Sequence, residues 1–492
     1  MAGTQVRTVV EGSLRQRPCP GRTRHGGSSG RHAVAVLSFA LAGCAHYPVN
    51  APLERVDAMS GYRIRATAGD ADDSTELAFV LTFSGGGTRA AAFSYGVLAA
   101  LREIEVEFDG SRRRLVGEID GISSVSAGSV TAAYFGLHGT AIFDSFPERF
   151  LYRNVQGALT RRFLSPWQWV RLVSPTFGRG DLMAQYFDEL IFEGKTYADL
   201  LGTSSPVIII NATDIDAGTQ FAFDQDQFDL LCSDLASFPL ARAVAASSAV
   251  PLALAPITLV NYPSRQCGYE LPDWASADAA SGAMSSRRYQ EARRIRHYVQ
   301  HDETRFVHLV DGGLVDNLGL RSLYDKATVA GGIVPLLELT GYTRFRRILH
   351  VVVNAQQELS AESAKDESVP GPIRTVMGAT RLTLDRYSFE TVENFSREIG
   401  VWMQELRAAR CAPGAVRTSR GPCDDLKAHF VELSFAQHPD PDEREFLVNL
   451  PTSFRLDPPT VDRVVAAARV ILDESPAFRE FLRDLAALES AD

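Results

Sequence analysis

Val125-Ser126-Ala127-Gly128-Ser129 is reached through Gly121-Ile122-Ser123-Ser124 and left through Val130-Thr131-Ala132-Ala133-Tyr134. An apolar, strand-like run feeds into a serine, and an apolar, helix-like run leads away from it. A serine on such a sharp strand-to-helix turn needs small neighbours, because the two backbones approach each other closely there. Ala127 and Gly128 meet that need. Ser124 stands where a glycine usually leads, so the turn reads S-x-S-x-G instead of G-x-S-x-G. Taken alone, the segment is equally compatible with a serine-rich turn in an ordinary α/β domain.

A second turn of the same kind lies upstream. Leu77-Ala78-Phe79-Val80-Leu81-Thr82-Phe83 is short and continuously apolar, as a buried strand is. Ser84-Gly85-Gly86-Gly87-Thr88-Arg89 follows, then an Ala- and Leu-rich helical pattern from Ala90 to Leu101. Glycines at a helix N-terminus can turn backbone N–H groups toward an anion. No Gly-Lys-Ser/Thr follows, so the loop does not fit a Walker phosphate site. Acyl transfer needs a nucleophile together with donors aimed at the developing oxyanion, and the two turns supply these two parts.

A third turn completes the set. Phe306-Val307-His308-Leu309-Val310 reads as a strand ending in Asp311-Gly312-Gly313, followed by Leu314-Val315-Asp316-Asn317-Leu318-Gly319-Leu320. Open α/β sheets place their sites at the C-terminal ends of strands. In this order the three motifs resemble the patatin-like phospholipase family, whose oxyanion loop reads G-G-G-x-R/K-G, whose elbow reads G-x-S-x-G and whose aspartate lies in D-G-G/A. Asn211-Ala212-Thr213-Asp214 with Gly218 and Phe223, and Ala246-Ser247-Ser248-Ala249-Val250-Pro251, add to the resemblance, which covers roughly residues 75 to 330. Two positions depart from the pattern: Ser124 in the elbow, and Ala90 where glycine usually follows the basic residue.

The resemblance implies an α/β fold, a patatin-like three-layer sandwich with a mostly parallel central sheet. It also implies a Ser126–Asp311 dyad without histidine, an oxyanion hole from Gly85, Gly86 and Gly87, and a phospholipid or other acyl-ester lipid as substrate, with no cofactor. The residues are compatible with a dyad. His350 sits in the apolar run Ile348–Val353 and reads as a core residue. His429 and His438 lie in the C-terminal segment. His308, three residues before Asp311, is expected on the opposite sheet face. Asp311 would take the Ser126 proton, with burial raising its proton affinity. Arg89 is expected either to position the loop or phosphate, or simply to cap structure. Arginine is the habitual cation of this chain, with 46 arginines against four lysines, so a single arginine carries little weight.

The N-terminus points to a compartment. Residues 1–32 carry six arginines, and Ala33 to Cys44 form a short apolar run ending in small residues. Such a run is a secretion signal too short to span a membrane. Leu41-Ala42-Gly43-Cys44 resembles the bacterial lipobox, which implies cleavage before Cys44, its lipidation, and membrane attachment through that anchor; Ala45 after it favours the outer membrane, facing the periplasm. Loss of residues 1–43 takes the formal charge from −10 to about −15 by removing six arginines and one glutamate. That argues against nucleic acid as a partner and against a broad electrostatic grip on anionic lipid, so membrane contact is expected from the anchor and from local apolar or basic patches. Oligomeric state is not legible.

Cys232, Cys267, Cys411 and Cys423 then face an oxidising compartment, and of three pairings Cys232–Cys267 with Cys411–Cys423 is favoured. No C-x-x-C or histidine cluster suggests a metal. The expected organisation is a signal peptide at 1–43, a polar tether at 44–75, a catalytic domain at 76–355 with an insert at 264–304, and a mainly helical extension at 356–492. The extension is expected to cover the sheet edge or complete the cleft. The insert's arginine-rich helix reads equally as a lid or as a solvated helix. The aromatic run Phe163–Val170 reads as core or as the lining of a lipid cleft. Two rival functions stay open: a non-catalytic lipid- or partner-binding envelope lipoprotein, and a serine esterase acting on soluble substrates.

Overall fold

The structure is a computed structural model. It describes residues 45–64, 76–108, 111–201, 206–280, 284–300, 304–357, 371–415 and 422–489. Residues 1–43, expected to be a signal peptide, and Cys44 lie outside the described residues.

The main sheet has eight strands: β1 (Leu77–Phe83), β2 (Gly121–Val125), β3 (Val207–Asp214), β4 (Thr219–Ala222), β5 (Ile257–Val260), β6 (Phe306–Asp311), β7 (Arg347–Asn354) and β8 (Lys427–Ser434). Their order is β8-β7-β1-β2-β3-β6-β5, with β4 folded back antiparallel on β3. The first four pairings along this path are parallel. The pairings of β6 with β3 and with β5 are antiparallel. The sheet is thus mixed and mostly parallel.

Strand alternation divides the core between two faces. Phe79, Leu81, Leu349, Val351 and Val353 enter one apolar cluster, while Ile348 and Val352 enter the other. On the first face lie α1 (Thr88–Arg102) and α2 (Ala127–His138), each leaving one of the glycine-rich turns. The second face is covered by the helices at 321–330, 333–340 and 372–410. Helices on both faces of a sheet give the three-layer sandwich. Between the second face and its helices is an almost wholly apolar cavity of about 170 Å³, lined by Val80, Ile122, His350, Phe395 and Trp402 among others.

The C-terminal segment belongs to this body. It contributes β8 at the sheet edge, and its helix Pro458–Glu474 packs on α1 so closely that a Cβ at Gly96 would come within 2.7 Å of the Ala468 Cβ. Residues 45–64, expected within a polar tether, instead lie against the domain. Asn50 caps the Val260 backbone in both directions, Leu53 N donates to Cys232 O at 2.7 Å, and the buried Tyr62 hydroxyl accepts from Ile208 N at 2.6 Å. Short polar side chains can satisfy strand ends from outside a domain, which composition alone does not reveal. The insert helix Arg287–Val299 is also docked: Tyr298 is buried and donates to Asp214 Oδ2 at 2.8 Å. Disulfides join Cys232 to Cys267 and Cys411 to Cys423. No helix among the described residues is long and apolar enough to cross a membrane.

Candidate active site

Ser126 takes φ 51° and ψ −129° between β2 and α2. A left-handed non-glycine residue of this kind is costly and persists only where the surroundings over-determine it. Here the surroundings are a tight fit of strand and helix. A Cβ at Gly128 would come within 2.6 Å of Ser84 O, so only glycine lets α2 begin beside the first turn. Ser124, the departure from the usual elbow, is fully buried and donates to Ile209 O at 3.1 Å, so its hydroxyl is satisfied inside the sheet.

Register brings the aspartate to the serine. Val125 pairs with Asn211, and Asp311 pairs with the next residue, Ala212, so neighbouring residues of β3 hold both strand ends. Asp311 N donates to Ala249 O and Gly312 N to Ser247 O. Ser126 Oγ then donates to Asp311 Oδ2 at 2.9 Å, while Gly313 N donates to Oδ1 at 2.8 Å. Both side chains are buried. Burial pushes the Asp311 carboxyl up to about 6, against the opposing pull of the Gly313 and Ser126 hydrogen bonds. A Cβ at Gly312 would overlap the Asn211 carbonyl oxygen, so this crossing of β3 and β6 needs glycine. Gly312→Ala is expected to cost about 3 kcal/mol or more of stability, read by chemical denaturation; a loss under 1 kcal/mol would mean that the strands part freely there.

Ser247 ties the elbow from below: its Oγ accepts from Ser126 N at 2.7 Å and donates to Asn211 O at 2.6 Å. Among the described residues no histidine bonds to the pair. His350 is buried among Phe395 and Phe430, and desolvation lowers its pKa to about 3. His308 pairs with Asp216 at 2.7 Å, His429 contacts Asp484 at 3.0 Å and His438 contacts the Asp440 carbonyl.

The first glycine turn faces this pair. A Cβ at Gly85 would come within 3.2 Å of the Ser126 Cβ. Gly86 (φ 145°) and Gly87 (φ 66°) adopt backbone shapes that side chains disfavour, and their N–H groups meet no acceptor among the described residues. Gly85 differs. Its N–H donates to Asn317 O at 3.1 Å, so the expectation of donors from all three glycines narrows to Gly86 and Gly87. The turn that follows Asn317 is held by Asp316, whose buried carboxylate accepts from Leu318 N, Gly319 N and Arg321 N and is pushed up in pKa by desolvation.

Arg89 is buried and donates to Leu450 O and to Thr452 Oγ1, the latter at 3.2 Å, while Thr88 N donates to Ser453 O at 2.8 Å. Arg89 thereby fastens the glycine turn to the C-terminal segment. Ser247, Asn317 and residues 450–453 belong to the site without being named by its three motifs. Ser247 lies in the Ala246–Pro251 stretch that resembles the family and Asn317 follows the Asp311 turn, whereas nothing local marks 450–453. Among the described residues no cluster of three or more His, Cys, Asp or Glu side chains could hold a metal. The apolar cavity on the second sheet face is lined by neither Ser126 nor Asp311.

A serine hydroxyl that donates to a desolvated carboxylate, beside a glycine turn with two N–H groups that meet no acceptor among the described residues, is an arrangement suited to nucleophilic attack on a carbonyl. Among solved structures the chain is similar to human GIVD cytosolic phospholipase A2, with 12% identity and a TM-score of 0.39, over 84% of this chain and 63% of that one. It is also similar to that human enzyme in complex with methyl gamma-linolenyl fluorophosphonate inhibitor and terbium chloride, with 13% identity and a TM-score of 0.34, over 85% and 60%. The chain thus spans less than two thirds of those chains. No curated protein matches the sequence. The patatin-like phospholipase family model matches residues 81–324, from within β1 past the Asp311 turn, and over that span the chain is a patatin-like phospholipase domain.

Proposed function

We propose that the protein is a serine lipid acyl hydrolase that cleaves carboxyl esters of membrane lipids, in the manner of a phospholipase A or lysophospholipase. The observation that carries this reading is the 2.9 Å hydrogen bond from Ser126 Oγ to a buried Asp311 carboxylate, with no histidine bonded to either among the described residues, inside a patatin-like domain. Asp311 accepts the Ser126 proton as Oγ attacks the ester carbonyl, forming the C–O bond. Gly86 and Gly87 N–H groups stabilise the oxyanion, each worth about 3 kcal/mol of barrier. Collapse expels the alcohol, which takes the proton back from Asp311, and leaves an acyl-serine. Water, deprotonated by Asp311, then releases the fatty acid and restores Ser126. Cys44, if lipidated as the lipobox resemblance implies, would hold this chemistry at the periplasmic face of the outer membrane.

The test is a fluorophosphonate probe followed by peptide mass spectrometry, run beside fatty-acid release from phospholipid vesicles. The expected result is one phosphonate on Ser126 and steady acyl release. A phosphonate on another serine, or no release from vesicles by a labelled enzyme, would overturn the reading.

A further inference from the structure

Helix Pro166–Leu172 has the sequence Pro-Trp-Gln-Trp-Val-Arg-Leu, and none of its residues is buried. Trp167 is 85% exposed, Trp169 54%, and the flanking Leu164 and Val173 are each 65% exposed. A helix with this much apolar surface and nothing among the described residues to bury it against is a contact surface without its partner. Residues 155–180 contain four arginines and no acidic residue, in a chain whose formal charge is −10; one of the four, Arg162, pairs with Glu189 and three remain without a carboxylate partner in the ion pairs of the described residues.

The chain enters beside this patch. The Ala45 carbonyl accepts from the hydroxyls of Ser174 and Thr176, and Tyr47 N donates to Thr176 O at 2.8 Å. Cys44, the residue expected to carry the lipid, is the residue before Ala45. On the other side the patch leads to the dyad. Gly178 and Gly180 press on Ala255, and Arg179 donates to Leu252 O at 3.0 Å. Leu252 is 66% exposed in a left-handed conformation (φ 70°). Its loop begins just after Ala249, whose carbonyl receives the Asp311 N–H.

We infer that Leu164, Trp167, Trp169 and Val173, continued by Leu252, form a docking surface for an anionic lipid bilayer, which presents the Ser126 site to the membrane. Tryptophans favour the headgroup level, arginines meet anionic headgroups, and a single anchor gains stable attachment from a second apolar or basic contact. The inference rests on the acyl-hydrolase reading for its purpose but has its own test.

The test uses the full chain carrying Cys44→Ala, so that no anchor holds it. Vesicles of phosphatidylglycerol and phosphatidylethanolamine with brominated acyl chains serve as quenchers, and phosphatidylcholine vesicles as the neutral arm. The parent is expected to partition onto the anionic vesicles with quenched, blue-shifted tryptophan emission. Trp167→Ala/Trp169→Ala and, separately, Leu164→Gln/Val173→Gln are expected to lower partitioning about tenfold or more. Both should keep kcat/KM on a water-soluble short-chain ester within about twofold, which also shows that they fold. Unchanged partitioning in both variants overturns the surface, whatever the esterase activity. Loss of a dimer by size exclusion without any change in vesicle binding assigns the patch to a second copy and also overturns it. Vesicle binding that depends on the patch, without fatty-acid release by the parent, leaves the surface standing and removes the hydrolase reading.

Discussion

Asp311→Asn is expected to lower kcat for acyl release by about 10²–10⁴-fold while leaving KM nearly unchanged, since a general base contributes on that scale and asparagine accepts no proton. Asparagine matches the carboxylate in shape: its Oδ1 still accepts from Gly313 N, and its amide N–H, in the place of Oδ2, donates to Ser126 Oγ. The loss would therefore report chemistry and not a collapsed site. With Asp311 pushed up to about 6, kcat/KM of the parent should rise with pH through about 6 and then level off. That limb should vanish in Asp311→Asn. An unchanged limb in the variant would assign the titration to another group, and a loss below tenfold would remove Asp311 as the base.

The same carboxylate makes a signed prediction for stability. Its folded pKa lies above the unfolded value of 3.8, so the folded state binds more protons between about 4 and 6. Its contribution is fully present below about 4 and is lost as pH rises through about 6. At pH 8 the buried charge costs on the order of 2–3 kcal/mol, at about 1.4 kcal/mol per pK unit. Asp311→Asn should therefore raise the melting temperature at pH 8 and leave it nearly unchanged at pH 4. A site held charged at the expense of the fold is common where function, not stability, sets the residue.

What the sequence discloses divides by the range of the interactions involved. β1, β2 and β6, with their three glycine-bearing turns, are written in short apolar runs and small residues, because strand burial and close turns leave local signatures. His350 is legible as core for the same reason. The oxyanion loop shows where local reading stops. Three consecutive glycines look equivalent, yet Gly85 spends its N–H on Asn317, more than two hundred residues away, and only Gly86 and Gly87 stay free of a partner among the described residues. Arg89 looks like one arginine among 46 until the fold seats it against Leu450 and Thr452. The strap at 45–64 depends in the same way on surfaces that exist only once the sheet has formed.

The elbow itself gives the largest expected effect. Ser126→Ala should reduce acyl release by about 10⁵–10⁶-fold and abolish phosphonate labelling, because no other oxygen stands where Oγ attacks. The loss leaves only what the Gly86–Gly87 donors and substrate binding supply unaided. Retention of more than a hundredth of the activity would exclude Ser126 as the nucleophile. A companion variant separates this chemical role from the mechanical one. Ser126→Gly removes the same hydroxyl and leaves Asp311 Oδ2 in the same state, but it also relieves the left-handed backbone at φ 51°. It should therefore be more stable than Ser126→Ala by about 1 kcal/mol, the usual cost of that conformation for a side chain, as read by denaturant midpoints. Both variants should be equally inactive. Equal stability would mean that the elbow stores no strain, and that the tight approach of Gly128 to Ser84, not a tensed serine, sets the position of Oγ.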